Sequence, residues 1–205
     1  MSLSITRPYS NLSHLDEHGR ASMVDVGNKP PTIRSASASG RIIIPKLAFD
    51  IVTSFYPVED SVSSVRPGAA RTAFEKARRK GDALTIAQLA AIMGAKQTSA
   101  LIPLCHPLPL TSIDVELVPE AQRSLEHRSS CDAEAEASRY SIRCTATVTC
   151  EGRTGVEMEA LTAVSVGLLT VWDMLKAVAG KEMEIGGIMV MRKTGGQSGD
   201  FERDI

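Results

Sequence analysis

The segment RTGVEMEALTAVSVGLLTVWDMLKAV, from Arg153 to Val178, is the most informative about the fold, because its apolar residues recur at helical spacing over a long stretch. The pattern predicts a helix of about 24 residues, or roughly 36 Å at ~1.5 Å per residue. Thr154 followed by Glu157 matches a capping box, in which each side chain hydrogen-bonds the backbone of the other residue. We therefore expect one long helix that begins near Thr154 and ends near Val178.

The two sides of this helix differ in chemistry when its residues are projected at ~100° per residue. One side predicts a core face made of Leu161, Val164, Leu168, Val171 and Leu175. The other side carries Met158, Glu159, Thr162, Asp173 and Lys176. The functional candidates on the helix are therefore Glu159, Asp173 and Lys176, with Met158 beside them.

Asp173 and Lys176 are spaced i,i+3 and can form an ion pair. Such a pair is usually a surface pair that contributes little, although a lysine inside an apolar pocket becomes an adjustable acid or base. Taken alone, the residues favour the surface pair. Glu159 and Asp173 lie roughly 21 Å apart along the axis, so a second copy of the chain must contribute if both line one pocket.

Shorter patterns predict the other elements. Residues that alternate between apolar and polar predict strands at 113–117 and Tyr140–Cys150. A helix at Asp82–Thr98 is predicted from the stripe Leu84, Ala87, Leu89, Ala90 and Met93. We also expect an edge strand that contains Ile42–Ile44, a short helix at Lys46–Phe55 and a last strand near Met183–Met191. This mixture predicts a two-layer α+β domain.

Composition excludes several classes of protein. The net charge is −1 and aromatic residues are 4% of the chain, which argues against nucleic acid as the main partner. No uninterrupted apolar run approaches the ~18 residues of a membrane span. The 4 cysteines form no C-x-x-C pair, which favours reduced thiols inside a cell and argues against a zinc site.

The segment LIPLCHPLPL, Leu101 to Leu110, holds one polar side chain in a rigid apolar setting. Its three prolines, Pro103, Pro107 and Pro109, exclude a helix interior and a central strand. The segment is therefore suited to hold His106 in a fixed direction. From the residues alone, His106 is either a catalytic group or a hydrogen-bonded core histidine.

Two further segments could bind an anion. KTGGQSGDF, Lys193 to Phe201, combines a lysine with glycines that let backbone N–H groups form an anion nest, although its spacing is not that of a Walker loop. A terminal glycine-rich segment is also often disordered. Lys80, in ARRKGD, is either an anion ligand or one member of a solvated charge run.

Together, LIPLCHPLPL, KGDAL, GVEMEALTAVSVGLLTVWDMLKAV and KTGGQSGDF resemble the MoaC family of molybdenum cofactor biosynthesis. The resemblance begins with MVDV at Met23 and continues to Phe201, and KTGGQ is similar to the eukaryotic branch. We interpret residues 1–22 as a flexible arm and residues 23–205 as one catalytic domain. The segments near 56–74 and 120–138 exceed the family pattern and are interpreted as surface insertions.

The resemblance implies a ferredoxin-like two-layer fold, assembled as a hexamer of three dimers with active sites at the dimer interfaces. It implies a lyase, cyclic pyranopterin monophosphate synthase, that acts on 3′,8-cyclo-7,8-dihydroguanosine 5′-triphosphate and releases diphosphate. A radical S-adenosylmethionine enzyme supplies that substrate from GTP. The expected protein is soluble and intracellular, in the mitochondrial matrix if eukaryotic and in the cytoplasm otherwise. No cofactor or metal site is implied, while a divalent metal on the triphosphate is left open.

The resemblance also assigns site residues. The catalytic positions it implies are Asp173, Lys176, Lys80 and His106. The substrate-binding positions are Leu104, Cys105, His106, Glu157, Met158, Glu159, Lys193 and Gly195. Opening and closing a purine-derived ring moves protons, which requires acids and bases of tuned pKa. Expelling diphosphate requires cations or N–H groups, and the lysines and the glycine tail supply both.

Two other functions stay open at this point. The chain could be a non-catalytic scaffold that stabilises the product of the radical enzyme, or a nucleic-acid module on a ferredoxin-like sheet. The charge and the lack of paired aromatic rings argue against the module. The presence of the acid, base and lysine positions favours the synthase over the scaffold.

Overall fold

The computed structural model describes residues 14–16, 18–54, 81–122 and 139–204 of the chain. Lys80 and the predicted insertion near 56–74 lie outside this part. Of the predicted insertion at 120–138, the structure describes only Glu120 to Gln122, which end a strand. Within the arm predicted at 1–22, Leu15 and Ala21 form an isolated antiparallel bridge.

In the part of the chain that the structure describes, five antiparallel strands form one sheet in the order β2-β3-β1-β4-β5. The strands are β1 Thr32–Ile44, β2 Leu110–Gln122, β3 Arg139–Gly152, β4 Glu184–Thr194 and β5 Phe201–Glu202. The helices among the same residues are α1 Lys46–Thr53, α2 Ala83–Lys96, α3 Thr98–Leu101 and α4 Glu157–Ala179. Two β-α-β halves with β1 and β3 at the centre are the ferredoxin-like arrangement. The predicted α+β fold is therefore confirmed.

Strand β1 lies in the middle of the sheet, so the prediction of an edge strand is wrong. Ala38 pairs with Ala146 of β3 on one side and with Val190 of β4 on the other. A Cβ atom on Gly40 would lie 2.8 to 3.1 Å from Ile188, Val164 and Leu168. The small residues of β1 therefore make room for α4, and this packing is invisible in a strand pattern read by itself.

Helix α4 confirms the predicted length and core face but not the predicted cap. It is 23 residues long, and Val156 at its N-cap makes no side-chain hydrogen bond. Glu157 is the first helical residue, so its carboxylate does not take the third-residue position that a capping box requires. The predicted core residues are buried, with Leu161 partly so: Leu161, Val164, Leu168, Val171 and Leu175.

Helix α2 begins as predicted, because Asp82 accepts hydrogen bonds from the N–H groups of Leu84 and Thr85. Its predicted apolar stripe is only partly right: Leu84 and Ala87 are buried, while Leu89 and Met93 are exposed. Apart from Leu84, the buried residues of α2 are small, which lets α4 approach closely. A Cβ atom on Gly94 would lie 2.9 Å from Val166 of α4.

The apolar character of α4 is compatible with a membrane span or with a buried core helix. Within the described residues, α4 is long and apolar enough to cross a membrane, with a mean hydropathy of 1.5. A span of this hydropathy was not predicted from the sequence, because polar residues interrupt the apolar run. In the structure, α4 packs against α2, β1, β3 and β4. Core packing therefore accounts for its apolar character, as it does for buried helices of globular domains.

Candidate active site

A cavity of about 410 Å³ lies beside the residues that lead into α4 and the residues that follow β4. Four basic side chains line it: Lys29, Arg34, Arg153 and Lys193. Glu157 is the one carboxylate among the described lining residues. A cleft with this excess of positive charge attracts anions. We call it the basic cavity.

Arg34 is the most rigid cation of the basic cavity. It is only 5% exposed, and its Nε donates a hydrogen bond of 3.0 Å to the carbonyl of Gly152. Arg34 was not predicted from the sequence, although a charged residue at a buried position of an alternating strand can indicate a site. Lys29 and Arg153 were not predicted either, because no local pattern distinguishes them from surface cations.

The glycine-rich tail borders the basic cavity. Lys193 Nζ lies 3.3 Å from Glu157 Oε1 and 3.3 Å from Ser198 Oγ, while Gly196 and Ser198 line the wall. Gly195 is not a lining residue. Its φ is +79°, a Cβ atom there would collide with the carbonyl of Ile33, and its N–H donates to Asp200. Gly195 therefore shapes the tail rather than offering its N–H to an anion.

Glu159 is a buried carboxyl group near two thiols. It is 4% exposed, and this burial is the main cause that raises its pKa, with a smaller contribution from the charge of Glu157. Burial, followed by the charge of Glu159, also raises the pKa values of Cys105 and Cys150. A carboxyl group with a raised pKa can hold a proton for transfer, which suits it to general acid catalysis.

We expect Glu159→Gln to make the protein more resistant to unfolding at pH 8 than the wild type. Because the pKa of Glu159 in the folded state lies above 4.5, the folded protein binds more protons than the unfolded chain. The contribution of protonated Glu159 to the free energy of unfolding is therefore present below pH 4.5 and is lost as the pH rises through the folded-state pKa.

Thermal unfolding followed by circular dichroism at pH 4.5 and pH 8 checks this expectation. The difference in Tm between Glu159→Gln and the wild type should be larger at pH 8 than at pH 4.5. Glu151→Gln, which removes an exposed carboxylate from β3, controls for the loss of one charge. An equal gain at both pH values would mean that the ionisation of Glu159 does not oppose folding.

The residues 102–109 have no helix or strand, as their prolines predict. Leu104, Cys105 and His106 are half-buried there. His106 Nε2 lies 2.9 Å from the backbone carbonyl of Val24. A carbonyl only accepts, so Nε2 carries the proton and Nδ1 is left for another partner. This geometry is compatible with both roles considered for His106.

Asp173 and Lys176 lie at the other end of α4. Lys176 Nζ donates to Asp173 Oδ1 at 2.6 Å, and the side chains of Lys176 and Asp173 are 58% and 65% exposed. Asp173 is roughly 24 Å along the axis from Glu157, at ~1.5 Å per residue. A single chain therefore places this pair on its surface and away from the basic cavity, while Met158 is partly exposed beside Glu159.

The part of the chain that the structure describes contains no group of three or more His, Cys, Asp or Glu side chains that could hold a metal ion. The basic cavity is lined by cations, which do not ligate metals. A metal bound to the triphosphate itself would enter as part of the substrate. The expectation of no cofactor stays a prediction.

Comparison with known proteins gives a consistent result. The model of the MoaC family matches residues 23–196. The chain is 42% identical over 191 residues to the cyclic pyranopterin monophosphate synthase of Parvibaculum lavamentivorans, covering 93% of this chain and 96% of that protein. It is 44% identical over 193 residues to the protein of that name from Cereibacter sphaeroides, covering 94% of this chain and 98% of that protein.

A third relative, from Jannaschia sp., carries the same name. It is 45% identical over 193 residues, which are 94% of this chain and 95% of that protein. These three relatives are bacterial, so they lend no support to the eukaryotic interpretation of KTGGQ. The family match and the three identities extend over nearly the whole chain. The chain therefore belongs to the MoaC family.

Proposed function

We propose that this MoaC-family chain is a cyclic pyranopterin monophosphate synthase of molybdenum cofactor biosynthesis. It is a lyase that converts 3′,8-cyclo-7,8-dihydroguanosine 5′-triphosphate to cyclic pyranopterin monophosphate and releases diphosphate. The names of the bacterial relatives support the product. The basic cavity supports a polyphosphate substrate, and it is the one structural observation on which the proposal depends.

The basic cavity matches the charge of a triphosphate. Arg34 is held by Gly152, so its guanidinium is preorganised for an anion. Lys193 is balanced by Glu157 and Ser198, which fixes the ammonium at the wall of the cavity. Cations placed where negative charge develops are the main means by which proteins accelerate phosphoryl transfer.

The phosphate step has a simple balance of bonds. A sugar hydroxyl attacks the α-phosphorus, the bond to the β-phosphate oxygen breaks, and diphosphate leaves. The negative charge on the leaving group is stabilised by the cations of the basic cavity, and a base accepts the hydroxyl proton. The ring-opening and ring-closing steps need further proton transfers, for which Glu159, His106, Asp173 and Lys176 are the proposed groups.

The active site takes residues from two chains, and three such dimers form a hexamer. Asp173 and Lys176 lie too far from the basic cavity of their own chain, so the basic cavity of a second chain is their proposed destination. Exposed apolar side chains support association, because Leu89, Met93 and Leu169 are 59%, 52% and 60% exposed. The Met158 side chain is proposed to contact substrate beside Glu159.

The cellular setting follows from the substrate. We propose that a radical S-adenosylmethionine GTP cyclase supplies the cyclic triphosphate inside the cell, and that the synthase needs no redox cofactor. Cys105, Cys144 and Cys150 are free thiols, which supports a reducing compartment.

An assay of the purified protein with the cyclic triphosphate tests the proposal. We expect release of one diphosphate for each cyclic pyranopterin monophosphate formed, measured by a coupled diphosphate assay and by mass spectrometry. A scaffold would bind the compound and return it unchanged. Binding without turnover, under conditions where the Parvibaculum lavamentivorans relative is active, would replace the synthase with the scaffold.

A further inference from the structure

Residues 23–29, which we call the strap, cross between His106 and the basic cavity without belonging to a helix or strand. The carbonyl of Val24 is bonded to His106 Nε2 at 2.9 Å. The carbonyl of Gly27 accepts a hydrogen bond from Arg153 Nη1. Two side chains from distant parts of the sequence thus hold the strap at two points.

The strap is also folded internally. Asp25 Oδ1 accepts a hydrogen bond of 2.7 Å from the N–H of Gly27, and the carbonyl of Val26 accepts one of 3.1 Å from the N–H of Lys29. An aspartate that bonds the backbone two residues later stabilises a turn. The position of Lys29 therefore depends on where the strap is held.

Lys29 is the cation that the strap delivers to the basic cavity. Arg34 and Lys193 belong to strands of the sheet and Arg153 directly follows β3, whereas Lys29 lies outside every described helix and strand. Arg153 is exposed, and the Gly27 carbonyl to which it donates lies two residues before Lys29 in the chain.

We propose that Arg153 is a positioning residue for polyphosphate binding. By donating to the carbonyl of Gly27, it holds the strap in place, so that Lys29 faces the anion and Val24 stays on His106. The inference rests on the proposed function only in taking a polyphosphate as the ligand of the basic cavity. It assigns to Arg153 a role that acts through Lys29 and His106.

A direct role for Arg153 is the competing explanation, because its side chain also lines the basic cavity. If Arg153 acted directly on the anion, its removal would weaken binding independently of Lys29. It would also leave the hydrogen bond between His106 and the strap unchanged. The two explanations therefore differ in the coupling between Arg153 and Lys29 and in the state of the His106 ring.

The first experiment measures the Kd of inorganic triphosphate by titration calorimetry. Arg153→Ala and Lys29→Ala should each weaken binding about 10-fold, the scale of a lost hydrogen bond to a charged group. The double variant should stay within about twofold of the weaker single variant, since residues that act as one unit are not additive. Arg203→Ala, which removes an exposed arginine bonded to the carbonyl of Val190, should bind as the wild type does.

Asp25 offers a sharper test, because the loss of its charge and the loss of its hydrogen bond predict opposite changes in the affinity for triphosphate. Asp25→Ala removes a negative charge from the strap, so electrostatics alone predicts that an anion binds at least as tightly as in the wild type. It also removes the acceptor for the Gly27 N–H, so a displaced strap predicts binding weaker by about 3-fold to 10-fold. Asp25→Asn loses the charge but keeps an acceptor oxygen, and it should bind at least as tightly as the wild type.

The second experiment observes the imidazole of His106 by long-range ¹H–¹⁵N correlation, assigned with His106→Gln. In the wild type, Nε2 should be protonated, because it faces the carbonyl of Val24. Arg153→Ala should shift the ring towards a mixture of tautomers. Lys29→Ala should leave it unchanged, although both variants bind triphosphate more weakly.

The outcomes separate this inference from the proposed function. Additive losses of about 100-fold in the double variant, an unchanged His106 ring in Arg153→Ala, tighter binding by Asp25→Ala, or no binding of triphosphate by the wild type would each overturn the inference. Turnover of the cyclic triphosphate by the wild type together with any of these results leaves the synthase assignment intact. If Arg153 and Lys29 are coupled as expected but the wild type does not turn over the cyclic triphosphate, the inference about the strap is supported and the synthase assignment is wrong.

Discussion

Asp173→Asn and Lys176→Ala should each lower the rate of product formation by at least about 100-fold, the loss expected when an acid–base group is removed. Neither change should affect folding. The two side chains are 65% and 58% exposed, and an exposed ion pair contributes at most about 1 kcal/mol to stability. The loss of activity would therefore come from chemistry and not from unfolding.

The measurement is steady-state turnover of the cyclic triphosphate beside the Tm of each variant. Asp50→Asn is the matched control, because Asp50 forms an exposed helical ion pair with Lys46 at 2.8 Å. This control should keep wild-type turnover. If Asp173→Asn and Lys176→Ala also turn over at the wild-type rate, the pair is a surface ion pair, and the catalytic acid and base lie elsewhere.

Mixing two inactive variants, Glu159→Gln and Asp173→Asn, should restore close to a quarter of wild-type activity from a nearly inactive background. Glu159 and Asp173 stand roughly 21 Å apart on α4, so one compact pocket takes them from two chains. Random exchange of subunits makes about half of the dimers mixed. Each mixed dimer has one site with both lesions and one site with neither.

A second mixture tests the same geometry in the opposite direction. When wild type is mixed with the double variant, every mixed dimer has one lesion in each site, so activity should fall to about a quarter. If each chain builds its own pocket, this mixture would keep about half of the activity, and the two single variants would not complement each other. Native mass spectrometry confirms that exchange has occurred.

Helices and strands are predictable from the sequence wherever the apolar pattern is local. The core face of α4 follows from its periodicity, because Val164, Leu168, Val171 and Leu175 are buried through the contacts that any helix makes on its apolar side. The irregular segment around His106 follows from its prolines, since proline cannot donate within a helix or a central strand.

Sequence reasoning failed where small residues decide the packing. Strand β1 is central because it pairs with both β3 and β4, and Gly40 lets α4 pack closely on it. On α2, Gly94 faces α4, while Leu89 and Met93 are exposed. Glycine and alanine carry little hydrophobic signal. Their effect is to let two elements come closer, and this effect exists only when both elements are present.

The residues of the candidate site also fall into two groups, those that a sequence motif identifies and those that only the fold brings together. Glu159, Lys193 and the glycine tail each lie in a short motif, so the residues next to them in the sequence make them recognisable. Lys29, Arg34 and Arg153 reach the basic cavity from separate segments, and only the tertiary structure shows that they meet. The physical reason is that a basic cavity is a property of charges close in space, while a sequence pattern records only charges close along the chain.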